Sequence, residues 1–137
     1  MRSAAHAGRG LLDTSVVIDL DRPEVVEALP GECAVSALVL AELAAGLPAV
    51  SDPVERARRQ FRLQMVESTF DAIVFDDAAA RCYGLLVGMV AADGRSHRRR
   101  VVDLLIAATA MSRGLDLYTR NPGDLDGLDS LVTVVPV

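Results

Sequence analysis

"VVDLLIAATAMSRGLDLYT", residues 101–119, is the stretch that decides the fold. From Val101 to Arg113 it is almost wholly apolar and reads as a helix. Gly114 is the residue that ends it, and Leu115–Thr119 reads as a strand. One carboxylate, Asp103, is set near the helix start, with Arg99 and Arg100 a turn before it and Ile106 and Ala107 a turn after. Asp is a poor residue for a helix interior, and a buried ionised carboxylate is costly unless something pairs it. Asp103 is therefore either a first-turn acid complementing the helix dipole or a member of a site.

Working outward, the same alternation of strand and helix fills the chain. "GLLDTS" (10–15) is a short apolar run that stops at Asp13 and hands over to capping residues. "PEVVEAL" (23–29) is a short helix opened by Pro23, and "ECAVS" (32–36) a second strand whose Ser36 is placed to cap the helix "ALVLAELAAG" (37–46). "SDPVE" (51–55) is a compact helix-start signal for a long helix reaching about Ser68. "DAIVFD" (71–76) reads as a third strand, with Asp76 or Asp77 capping a helix to about Ala92. After residues 115–119 come a turn-rich segment and a final strand, "LVTVVPV". The pattern is α/β: one domain over residues 10–137, a parallel sheet flanked by helices on both faces, with residues 1–9 small, polar and frayed. Ligands of such sheets sit beyond the carboxyl ends of the strands.

Composition narrows the chemistry. At 51% hydrophobic and 4% aromatic residues, the 137-residue chain builds a core from Ala, Val and Leu. Cys33 and Cys82 lie in apolar stretches, and His6 and His97 are the only histidines, so thiolate or imidazole metal chemistry is disfavoured and a reduced, cytoplasmic setting is expected. No export signal is expected from the opening residues, and the longest apolar stretch carries Glu42 and Pro48, which speaks against a membrane span. The fourteen basic residues are all arginine. Mechanisms that need a lysine, such as phosphate-loop NTPases, Schiff-base enzymes and receiver-type phosphoacceptors, are thereby excluded. A net charge of −5 argues against a nucleic-acid coat but leaves room for a local basic patch.

Four carboxylates stand where such a sheet would converge. Asp13 ends the first strand and, taken alone, reads as a helix cap. Glu42 has Leu38, Val39, Ala45 and Gly46 as its helical neighbours and no arginine within a turn, so it points to the core side without a local partner. Asp103 poses the same puzzle. Asp124, in "TRNPGD", is explained cheaply by turn chemistry, as are Asp126 and Asp129. Four carboxylates about 6 Å apart would repel by roughly 3 kcal/mol per pair at an effective dielectric near 20, which a marginally stable domain cannot carry without a hard divalent cation. An oxygen-only ligand set without lysine suggests phosphodiester hydrolysis by metal-activated water.

"LLDTSVVI", "SALVLAEL" and "VDLLIAATAMSRGLDLYTRNPGDL" resemble, in order and spacing, the PIN-domain ribonucleases, specifically the VapC toxins of toxin–antitoxin pairs, from Leu11 to the end of the chain. The resemblance implies a PIN-like fold, an Mg²⁺- or Mn²⁺-dependent endoribonuclease, a small antitoxin that occludes the site, and a homodimer. It assigns Asp13, Glu42 and Asp103 to an acidic triad and Asp124 to a more variable fourth acid, all four both catalytic and metal-holding, with Thr14 and Asn121 beside them. Leu125 departs from the aromatic that many members carry there. Since the site is anionic, RNA must be held by arginines at its rim. Arg95, Arg98, Arg99 and Arg100 of "GRSHRRR" and Arg58 and Arg62 of "RARRQFR" are the candidates. For the second group a solvated helix face with Glu55–Arg59 pairing is the competing reading. The rival function is a non-catalytic interaction domain that keeps the fold without the chemistry.

Overall fold

A computed structural model describes residues 8–137. The frayed start expected over residues 1–9 thus falls mostly outside the described residues, and at its end Arg9 already belongs to the sheet. Four strands, β1 (Arg9–Leu12), β2 (Glu32–Ala34), β3 (Asp116–Thr119) and β4 (Val134–Pro136), form one parallel sheet in the order β2-β1-β3-β4. Six helices connect or follow them: α1 (Thr14–Val17), α2 (Pro23–Glu27), α3 (Ala37–Ala45), α4 (Pro53–Thr69), α5 (Asp77–Ala92) and α6 (Val101–Arg113). Consecutive residues of the two inner strands are buried, Leu11 and Leu12 on β1 and Leu117, Tyr118 and Thr119 on β3. Because successive strand residues face opposite ways, the sheet is covered on both sides.

The segment expected as a third strand, 71–76, is not one. It contributes a single bridge, Ser36 with Ile73, at the edge beyond β2. Its Val74 stays 61% exposed, and the chain then enters α5 at once, where the Asp76 carboxylate caps the Ala79 N–H at 3.0 Å. The Ser36 side chain does not cap α3. Its hydroxyl is buried without a partner, while the Ala37 N–H donates to the Ile73 carbonyl. The signals at Asp52 and Gly114 act as read. Asp52 accepts from the Glu55 N–H, and Gly114 takes a left-handed φ of +65°. The N–H groups of Gly114 and Leu115 then close back on Met111 and Ala110, and the chain enters β3 directly.

Helix α6 is the hub. It packs chiefly against α5 and also against α3 and β3, and its Leu104, Ile106, Ala107, Ala108 and Ala110 are fully buried. A buried Leu or Ile side chain contributes about 1.5–3 kcal/mol, so α6 is anchored along its length and its N-terminal end is fixed in place. Gly10 in β1 is required by packing. A Cβ there would lie 2.5 Å from the Tyr118 ring.

Candidate active site

The register that pairs Leu12 with Tyr118 sets Asp13 and Thr119 side by side, just past the carboxyl ends of β1 and β3. Asp13 is 9% exposed, and its N–H donates to the Tyr118 carbonyl at 2.9 Å. Its Oδ2 accepts from the Ser15 hydroxyl at 2.7 Å and from the Thr119 hydroxyl at 2.9 Å. Each hydroxyl has one proton, so with both protons on Asp13 the 3.3 Å approach of Ser15 to Thr119 is a contact and not a further donation. The same two oxygens accept the N–H groups of the next turn, Ser15 from Arg120 and Thr119 from Asn121, each at 3.0 Å. Asp13 heads α1 by position but makes no side-chain cap. Its carboxylate is committed to a polar corner joining β1, α1 and the end of β3.

Glu42, half-buried on α3, accepts a hydrogen bond from the Thr14 hydroxyl. It faces a cavity of about 330 Å³ shared with Ile18, Glu55, Arg59 and Arg62, so arginines of α4 stand near it although none forms an ion pair with it. Asp103, in the first turn of α6, is half-buried and accepts no hydrogen bond among the described residues. Burial pushes its carboxyl up to about 6, the charges of Asp13, Asp124 and Glu42 add to the rise in that order, and Arg100 opposes it. Asp124 lies exposed on a 3₁₀ turn, Pro122–Leu125, and its carboxylate also accepts nothing among the described residues.

The four acids expected to converge thus share one electrostatic field centred on Asp103. They do not share a coordination sphere: among the described residues, no three carboxylate, imidazole or thiol groups are drawn together so that they could hold an ion as the side chains stand. The donor chemistry, oxygen throughout, matches a hard cation, and Asp103 and Asp124 accept no hydrogen bond among the described residues that would have to break to bind one.

Reading the residues alone passes over Ser15 and Thr119. The signal was the adjacency of β1 and β3, which turns "DTS" and the Thr closing "LDLYT" into one hydrogen-bonded cluster. Asn121 enters through its backbone N–H, and its side chain is solvent-facing without a hydrogen bond. The arginines divide. Arg58 pairs with Glu55 at 3.0 Å on the exposed face of α4, and Arg59 with the same carboxylate at 2.9 Å. Arg62 lines the Glu42 cavity. Arg95 donates to the Asp126 carbonyl and Arg100 to that of Asp124 at 2.8 Å, whereas the guanidinium groups of Arg98 and Arg99 are exposed and unpaired among the described residues. No helix among the described residues is long and apolar enough to cross a membrane.

Comparison with known proteins agrees with this architecture. The PIN domain family model matches residues 10–128. Ribonuclease VapC5 of Mycobacterium tuberculosis is 38% identical over 127 residues, 91% of either chain. Ribonuclease VapC8 of the same organism is 36% identical over 105 residues, 77% of this chain and 93% of its own. Among solved structures, the toxin–antitoxin complex VapBC-5 from M. tuberculosis aligns with a TM-score of 0.80 at 36% identity, over 94% of this chain and 98% of the matched one. FitAcB from Neisseria gonorrhoeae aligns with a TM-score of 0.74 at 27% identity, over 90% and 94%. A parallel sheet in the order β2-β1-β3-β4, with acids gathered past the ends of β1 and β3, is the setting in which those similarities fall: the chain belongs to the PIN-domain family and, within it, to the VapC ribonucleases.

Proposed function

We propose that this chain is the toxin of a VapBC-type toxin–antitoxin pair, an endoribonuclease that depends on Mg²⁺ or Mn²⁺. The observation that carries the reading is the shared field of Asp13, Glu42, Asp103 and Asp124, none of which is neutralised by an ion pair among the described residues. Left so, the cluster opposes folding, and a hard divalent cation is the partner that relieves it. Asp13 and Asp103 would hold the ion most directly, with Glu42 and Asp124 at the flanks. When bound, such an ion stabilises charge on the phosphodiester and acidifies water. The chain's own residues do the rest. Ser15 and Thr119 fix the Asp13 carboxylate, Thr14 fixes Glu42, and the exposed guanidinium groups of Arg98 and Arg99 offer phosphate contacts beside the acids.

The names of the relatives support ribonuclease activity, and the solved neighbours, which include VapBC complexes, support an antitoxin as partner. A homodimer fits α5, whose outward face carries Ala80, Gly84, Leu85, Gly88 and Ala91, small or apolar and exposed. One observation favours the rival reading of a fold without chemistry, namely that the acids do not stand in an ion-holding arrangement. The deciding experiment is cleavage of a mixed RNA pool by the purified chain with Mn²⁺, with EDTA, and with Glu42→Gln. Mn²⁺-dependent cleavage lost in the variant is expected. Cleavage that persists in EDTA, or none with Mn²⁺, overturns the proposal.

A further inference from the structure

The loop that carries Asp124 is a short 3₁₀ turn with few bonds beyond the turn itself. These include the Asp124 N–H to the Asn121 carbonyl at 3.1 Å, Asp126 to Gly123 at 3.3 Å and Leu128 to Leu125 at 3.3 Å. Buried Leu125 and Leu128 pin it from beneath. From above it is met by the segment leading into α6. Arg100 Nη1 donates to the Asp124 carbonyl at 2.8 Å, and Arg95 Nη2 donates to the carbonyl of Asp126, two residues on. The Asp93 and Arg95 side chains lie against the loop backbone at Gly127. Its φ is +85°, and a Cβ there would lie 2.6 Å from Asp93 Oδ2 and 2.9 Å from Arg95 Nη2. Arg95 in turn lies 3.4 Å from the Asp93 carboxylate. Two guanidinium groups are therefore spent on main-chain carbonyls, bonds stronger than neutral ones because the donor is charged.

We infer that Arg95 and Arg100 are positioning residues, a latch that holds the 121–127 loop, and with it Asp124, against the start of α6 where Asp103 stands. Arg98 and Arg99 are left as the arginines of this segment that meet phosphate. The inference deepens the ribonuclease reading and rests on it only for the RNA half. The latch itself stands on the hydrogen bonds. It also explains why one run of arginines sits between α5 and α6. All four arginines line a cleft of about 450 Å³ bordered by Val90 and Ser96; Arg98 and Arg99 make no side-chain hydrogen bond among the described residues, while Arg95 and Arg100, at either end of the run, donate back onto the loop.

The test uses the full chain and two readouts. Amide hydrogen exchange at Asp124, Asp126 and Leu128 reports the latch without reference to activity. Arg95→Gln and Arg100→Gln, made separately, should each raise exchange there by about tenfold or more, as loss of one charge-assisted hydrogen bond implies, with α6 amides unchanged. Arg100→Lys, which can still reach one carbonyl, should recover most of the protection, and Gly127→Ala should loosen the same amides from the other side. The salt dependence of binding to a short fluorescent RNA, measured without divalent metal, separates the two arginine pairs. Arg98→Gln and Arg99→Gln should each lower the slope by about one phosphate contact, and Arg95→Gln and Arg100→Gln should leave it unchanged. Unchanged exchange at the three amides in both latch variants would overturn the positioning role. A salt slope lowered equally by all four substitutions would return Arg95 and Arg100 to the RNA surface. A chain that neither binds nor cuts RNA refutes the ribonuclease reading and the phosphate role of Arg98 and Arg99, while exchange still decides the latch.

Discussion

The two sides of the acidic site are built on different principles. On the β1 side, Asp13 takes two hydroxyl donors and Glu42 one, so these carboxylates are oriented by short-range bonds. On the α6 side, Asp103 and Asp124 receive no hydrogen bond among the described residues; Asp103 is held by its helix and Asp124 by the backbone of its loop. One side is set when the chain folds. The other carries carboxylates without donors, and the Asp103 carboxyl is raised to about 6, first by burial and then by the charges of Asp13, Asp124 and Glu42. A site with one fixed side and one adjustable side suits a cation that must be gripped after folding, and it makes the four acids unequal under mutation.

Removing the fixed side should do the most damage. In Asp13→Ala the Ser15 and Thr119 hydroxyls lose their acceptor, and Thr119 is 1% exposed. An unsatisfied buried donor costs about 1–3 kcal/mol, so denaturant unfolding should show destabilisation of that order, together with loss of RNA cleavage by orders of magnitude. Thr119→Val sharpens the contrast, because it keeps the shape and deletes the hydroxyl that donates to Asp13 and accepts from the Asn121 N–H. About 1 kcal/mol of stability should go, and kcat should fall with KM little changed, since Asp13 remains but is held by Ser15 alone. A variant with wild-type kcat would show that Asp13 needs no such orientation.

The adjustable side should reveal itself through pH. Folding raises the Asp103 carboxyl from its ordinary 3.8 to about 6, so between those values the folded chain binds more protons than the unfolded one. Stability contributed by protonated Asp103 is fully present below about pH 4 and is lost as pH rises toward 6 and beyond. At full burial the rise corresponds to about 3 kcal/mol, and with Asp103 half-buried solvent screening leaves roughly 1–2 kcal/mol. Urea midpoints of wild type and Asp103→Asn in EDTA should therefore converge near pH 4 and separate above pH 6, with the variant the more stable. The smallest effect belongs away from both sides. Arg58→Gln, which breaks an exposed i,i+3 pair with Glu55 on α4, should change stability by less than about 0.5 kcal/mol in chemical denaturation.

How far the residues alone lead differs between fold and site for physical reasons. Helix ends could be read because their chemistry is local: Asp52, Asp76 and Gly114 cap as their types dictate. The strand expected at 71–76 failed because an apolar run reports burial and not ladder hydrogen bonds. β2 ends at Ala34 on the sheet edge, leaving Ile73 one bridge to make before α5 begins. Glu42 and Asp103 stand out by their spacing on apolar helix faces, and the expected convergence of strand ends adds Asp13 and Asp124. Their dressing could not be found that way, because Ser15 and Thr119 are 104 residues apart and meet only through strand adjacency. The arginines mislead in the opposite sense. A cluster of guanidinium groups reads as a surface for phosphate, whereas Arg95 and Arg100 are directed at carbonyls of their own chain.

The most direct test of the unequal sides is thermal unfolding of wild type and Asp103→Asn at neutral pH, each with EDTA and with excess Mn²⁺. The account predicts that in EDTA the variant melts a few degrees above wild type, because a repelled charge is gone, and that Mn²⁺ raises the wild-type Tm much more than the variant's, because an oxygen ligand is gone too. An Asp103→Asn protein that melts below wild type in EDTA, or that gains as much from Mn²⁺, would contradict it.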